Sequence, residues 1–176
     1  MSTETPKRYH PIHVVLHWSI ALLVIFFLVA GSFVMSPMPN SEELGLLSFH
    51  AMFGPLLGLL ILIRLGTRFF LKRPAPADAG HPLLNFGARA VHGLLYLGVF
   101  AMLFSGANLS RAYGLSNILA GNGLMPEDLF VYPQRFIHGI LSNLMLALVV
   151  LHFAAAMYHQ FIKKDSLLAR MWFGKR

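Results

Sequence analysis

The 176-residue chain has no cysteine and only seven acidic residues, and charged residues of either sign make up just 12% of it. The lack of thiols excludes disulfide scaffolds, iron–sulfur clusters, thiolate zinc sites, cysteine nucleophiles and covalently attached c-type haem. So little charge cannot keep an unfolded chain solvated, which excludes disorder as a global description. What the chain has in quantity is apolar: 56% of it is hydrophobic, with 15 Phe, and its mean hydropathy is +0.63. That is too apolar for an ordinary soluble domain and reads as a membrane protein. Nine histidines make up most of its remaining side-chain chemistry.

Four charge-free stretches, Tyr9 to Ser41, Leu44 to Ile63, Ala90 to Ser110 and Phe136 to Ile162, are each long enough to span. A bilayer core of about 30 Å needs about 20 helical residues. The expected fold is therefore all-α: one membrane domain over residues 1–176, an integral four-helix bundle. Its transmembrane helices are expected at about 14–35, 46–70, 91–109 and 136–162. The first is too long for a signal-peptide core despite Lys7 and Arg8 before it. Pro37 to Glu43 is short enough to join antiparallel neighbours, whereas Pro74 to Gly80 and Ala112 to Pro133 read as loops.

Basic residues are distributed unevenly between alternate connections. Lys7, Arg8, Arg64, Arg68, Lys72, Arg73, Arg89, Lys163, Lys164, Arg170, Lys175 and Arg176 fall on one side, and only Arg111 and Arg135 on the other. The positive-inside rule then puts both termini in the cytoplasm. The net charge of +7 and pI near 10.2 follow from orientation and call for no nucleic-acid partner.

Histidine is costly in hydrocarbon, so each intramembrane instance is a functional-site hypothesis. His138 and His152 stand 14 residues apart on the fourth span, about 40° short of four full turns and about 21 Å apart along the axis. They share a face at two depths. By topology, His50 at the start of the second span lies level with His138, and His17 early in the first lies level with His152. The expected pairs are His50/His138 on the outer side and His17/His152 on the inner side. Each would supply the two axial ligands of the iron of a flat macrocycle, leaving no open position and favouring electron transfer over oxygen binding. The competing reading is that these residues hydrogen-bond across helices as polar glue. Glycines at 54, 58, 87, 93, 98, 106 and 139 would let a ring approach the backbone, and equally would let helices pack closely.

His159 follows His152 by seven residues, beside Tyr158, Gln160 and Lys163. It is a candidate quinone contact, since quinone reduction needs hydrogen-bond donors and protons near cytoplasmic water. The alternative is an interfacial histidine reaching for headgroups. His10, His13, His81 and His92 receive no assigned role, and Trp18 reads as an interfacial anchor.

These residues occur in strings that resemble a known family: Leu16-His17-Trp18, Phe49-His50 with Arg64 beyond, His92-Gly-Leu-Leu-Tyr96, Ile137-His138, and Leu151-His152 through His159 to Lys164-Asp165-Ser-Leu-Leu. Over nearly its whole length the chain resembles the bacterial cytochromes b561, most of all those of the superoxide oxidase type. The resemblance implies a multi-pass bundle of the bacterial inner membrane with two haem b groups. It implies axial ligands at His17, His50, His138 and His152, and a quinone position at His159. It further implies passage of electrons from periplasmic superoxide to ubiquinone. The outer connections sum to −2, so an anionic donor would need Arg111 and Arg135 clustered around the outer haem. Two other classes stay open on the sequence: a cytochrome b anchor fed by a partner dehydrogenase or hydrogenase, and a haem-free transporter or assembly protein. Homo-oligomerisation is also left open.

Overall fold

The computed structural model of the chain describes residues 7–35 and 44–174. The expected turn at Pro37 to Glu43, like Lys175 and Arg176, lies outside the described residues. The described residues contain helices α1 (Pro11–Val29), α2 (Leu44–Phe70), α3 (Pro82–Ala112), α4 (Leu115–Leu119), α5 (Pro133–Met157) and α6 (Leu167–Arg170), and no strand. Two wider, π-helical turns, Ala30–Met35 and Tyr158–Lys163, prolong α1 and α5. The four helices long and apolar enough to cross a membrane are Pro11–Phe33, Leu44–Phe70, Pro82–Ala112 and Pro133–Lys163.

Local chemistry explains where these helices start. α1, α3 and α5 each open on a proline, whose fixed φ suits the first helical turn and whose missing N–H would have had no partner there. His10 and His81 cap α1 and α3, their Nδ1 atoms accepting the N–H of Ile12 (3.3 Å) and of Leu83 (3.2 Å). This capped start carries α3 nine residues beyond the apolar stretch expected from Val91, so Arg89 belongs to a helix and not to a connection. The expected loop from Ala112 to Pro133 also contains structure, α4 and a 3-10 turn at Leu129–Val131 capped by Asp128.

The long helices form a bundle in which α3 packs most extensively on α5 and α1 on α2. Its buried apolar centre is small: Leu28, Leu57, Ile61, Val99 and Met145, with partly buried neighbours such as Leu103 and Leu146. Many more large apolar side chains face outward, among them Leu22, Phe104 and Phe153. Such an exterior suits lipid, not water.

At one end the chain is tied together. The N–H of Tyr9 donates to the Arg170 carbonyl (3.0 Å), the Arg8 guanidinium to that of Ala169 (2.8 Å), and Trp18 Nε1 to that of Met171 (2.9 Å). Lys163 Nζ and the Arg170 guanidinium donate to the carbonyls of Asp78 (2.6 Å) and Ala75 (3.0 Å) in the connection between α2 and α3. Both described ends and this connection therefore share one side of the bundle, the side richer in basic residues.

Candidate functional site

α5 presents histidines to two other helices. The His138 ring faces His50 of α2 with centres 6.2 Å apart and planes at 76°. The His152 ring faces His17 of α1 with centres 6.2 Å apart and planes at 74°. Two imidazoles that bind one metal atom at about 2 Å each leave their ring centres about 6 Å apart, so each pair has the spacing of an axial ligand pair. Met145, seven residues from each α5 histidine, fills the space between the tiers with the rest of the apolar core.

Hydrogen bonding at His138 goes further. Ser105 Oγ donates to the Met102 carbonyl (3.0 Å) and lies 2.8 Å from His138 Nδ1. With its single proton spent on the carbonyl, the hydroxyl accepts Nδ1–H, which fixes the tautomer and leaves the Nε2 lone pair free for a metal. Gly106 beside it leaves room for the ring: a Cβ there would come 3.2 Å from His138 Cε1. His50 Nδ1 is buried without a partner among the described residues, and Phe27 packs on the His50 ring at 4.7 Å. Among the described residues no cluster of three or more His, Asp or Glu side chains would hold a bare ion. Isolated pairs suit a metal whose other positions a macrocycle fills, and b-type haem fits this donor set.

Around the other tier the sequence reading gave no roles to His92 and His13. His92 donates Nδ1–H to the Ala88 carbonyl (2.7 Å) and packs edge-on against His152, ring centres 5.1 Å apart. His13 sits within α1 at only 2% exposure and not at an exposed edge. Its carbonyl accepts from Arg64 Nη1 (2.7 Å), and Arg64 Nε donates to the Tyr96 hydroxyl (3.1 Å).

His159 is buried, and its Nδ1 lies 2.5 Å from Asp165 Oδ2. The imidazole is thus engaged inside the protein and is not reaching outward to headgroups. Lys164 and Ser166, on either side of Asp165, both adopt left-handed backbone conformations, with φ of 55° and 56°. Such positions are sparsely populated by residues with a side chain. Partial burial works to raise Asp165, but the His159 hydrogen bond and charge, the Leu167 N–H and Lys163 together hold its carboxyl below the usual range. Next along the chain, Gln160 lines a cavity of about 410 Å³ with Trp18, Trp172, Arg8 and Ser166, and its Oε1 is buried and unpartnered among the described residues.

At the opposite end the Arg135 guanidinium lies over the Phe130 ring (4.9 Å) and against Gly139, next to His138. Arg111 ends α3 and is not brought to His138 by any observed contact. Ser105 was missed in the sequence because it meets His138 across two helices, with no spacing signal to mark it. Asp165 stood in a recognisable string, yet only the turn that follows α5 shows where its carboxylate points.

The family model described as prokaryotic cytochrome b561 matches residues 8–174. Cytochrome b561 homolog 2 of Escherichia coli is 31% identical, over 96% of this chain and 93% of its own length. A cytochrome b562 of Cereibacter sphaeroides is 28% identical (96% and 97%), and a probable superoxide oxidase, CybB, of Yersinia pestis is 27% identical (97% and 98%). No solved structure matches the chain significantly. The match spans all four apolar helices and every paired histidine, and the chain belongs to the prokaryotic cytochrome b561 family of haem-binding membrane electron-transfer proteins.

Proposed function

We propose that the chain is a di-haem superoxide:ubiquinone oxidoreductase of the bacterial inner membrane, with His50/His138 holding the periplasmic-side haem b and His17/His152 the cytoplasmic-side one. The observation that carries this reading is the repeated 6.2 Å spacing of two histidine pairs at two depths. Haem b, when bound, supplies reversible one-electron redox chemistry.

The residues of the chain do the rest. Each histidine pair would hold one haem through two imidazoles and leave oxygen no place to bind. Ser105 orients His138 through Nδ1. Leu28, Leu57, Ile61, Val99 and Met145 keep the space between tiers dry. Arg135, near His138, gives the outer tier a positive field toward an anionic donor, which the −2 sum of the outer connections alone would not. At the other end His159, its Nδ1–H held by Asp165, presents Nε2 as the atom that carries a proton toward a quinone oxygen. The cavity lined by Gln160, the residue after His159, with Trp18 and Trp172 has the largely apolar walls of a quinone headgroup site. Formation of one quinol takes two electrons and two protons, so two superoxide anions are oxidised to oxygen for each quinone reduced. Basic residues gathered at the end that holds both described termini support their cytoplasmic placement.

The deciding experiment is purification of the protein alone and assay of ubiquinone reduction driven by a superoxide source. Superoxide-dependent turnover is expected. Co-purification with a dehydrogenase or hydrogenase and no turnover without it would replace this reading with that of an anchor subunit.

A further inference from the structure

Arg64 lies inside a membrane-crossing helix, and no described carboxylate pairs with it. Of the four described carboxylates, Asp78 and Asp165 are engaged with Asn85 and His159, and Glu127 and Asp128 belong to the opposite end of the bundle. A charge held at membrane depth normally has a counter-charge or lines a polar cavity. Of the five N–H donors of this guanidinium, one on Nη1 goes to the His13 carbonyl and Nε–H to the Tyr96 hydroxyl. The three that remain, one on Nη1 and two on Nη2, form the face that grips a carboxylate in two-pronged fashion.

The Tyr96 hydroxyl, which accepts from Arg64 Nε, keeps its own proton to donate to the same anion. His13 is 2% exposed, and its Nε2 is buried with no partner among the described residues. Thr67 Oγ1 donates to the Arg64 carbonyl (2.9 Å) and lies 3.4 Å from His13 Nδ1, so it accepts Nδ1–H and leaves Nε2 an acceptor, which takes no part in holding an anion. Arg68, one turn beyond Arg64, lies over the Tyr96 ring (5.9 Å) and adds positive charge.

The register of α2 says where the anion comes from. Arg64 follows His50 by 14 residues, the interval that separates His138 from His152 on α5. It therefore shares the inward face of His50 and stands at the depth of the His17/His152 pair. A lipid headgroup approaches from outside the bundle; this face looks inward. We infer that Arg64, with the Tyr96 hydroxyl beside it, forms the seat for a propionate carboxylate of the haem held by His17 and His152. The inference rests on the di-haem reading above.

The test uses holoprotein whose haem carries 13C at the propionate carboxyls, compared by redox-induced infrared difference spectroscopy in wild type, Arg64→Gln, Arg64→Lys and the remote control Arg170→Gln. Label-sensitive carboxylate bands are expected to shift in Arg64→Gln and to move toward their wild-type position in Arg64→Lys, while Arg170→Gln leaves them in place. If Arg64→Gln loses the inner haem, Arg64→Lys, which keeps the charge but not the fork, must still move the bands. Unmoved bands in a variant that retains both haems overturn the inference, as does loss of a co-purifying anionic lipid from Arg64→Gln with the bands unchanged. Haem bound with unmoved bands defeats this seat alone, whereas a preparation without haem defeats the parent reading with it.

Discussion

The two histidine tiers are nearly superimposable in ligand geometry and unlike in everything around it. Both have ring centres 6.2 Å apart and planes close to perpendicular. The His50/His138 tier has a serine hydroxyl on one ring, a phenylalanine against the other, an Nδ1 unpartnered among the described residues, and Arg135 against neighbouring Gly139. The His17/His152 tier has His92 against it and the Arg64–Tyr96–His13 cluster at its level. Positive charge favours the reduced, less positive state of an iron centre. On the proposed reading Arg64 and Arg68 would raise the reduction potential of the inner haem, and Arg135 that of the outer one. One ligand set repeated in two surroundings separates what ligation fixes from what the environment tunes.

That separation can be broken at several strengths. The largest effect belongs to the ligands: His138→Ala and His152→Ala should each lower the haem-to-protein ratio from two to one, in pyridine haemochrome assays, and remove different spectral components. Both haems persisting in both variants would sink the assignment. Next, His159→Gln should slow oxidation of the reduced protein by quinone by about 100-fold, the scale of a lost acid–base group, with haem content unchanged. Wild-type stopped-flow kinetics would remove His159 from the quinone site.

Smaller effects test the independence of the tiers. Ser105→Ala removes the acceptor of His138 Nδ1–H, and loss of such a supporting bond weakens metal retention by about 10-fold or more. Only the outer haem should dissociate faster in detergent, and equal weakening of both would show that the tiers are coupled. Smallest of all, Gly106→Ala sets a methyl carbon 3.2 Å from His138 Cε1, a contact the ring relieves by moving a few tenths of an ångström. A slight change in the outer-haem spectrum at low temperature is expected, with the inner-haem component unaltered.

The bundle was legible in the sequence because its signal is one-dimensional. Four runs without charge set four spans, and the depth of a histidine along its span follows from residue number and topology alone. That arithmetic brought His50 level with His138 and His17 level with His152, and the structure brings the same side chains face to face. Rotation about the helix axes and the paths of connections are set by many small packing terms, and there the reading stopped short. His13 lies only five residues beyond basic Arg8 yet is buried, with Arg64 reaching up from α2 to its carbonyl. His10 and His81 proved to be helix caps, a role decided by the proline that follows each. Arg89 was read as part of a connection, since its charge ends the apolar run although the helix does not end there.

Because α5 carries one histidine of each pair, on the proposed reading neither haem site would be complete until the last long span has left the ribosome and joined its neighbours. Partly made chains of this protein would therefore offer no complete cradle to free haem in the cell. On that reading, haem loading would come late, and only in molecules whose last long span is already in place.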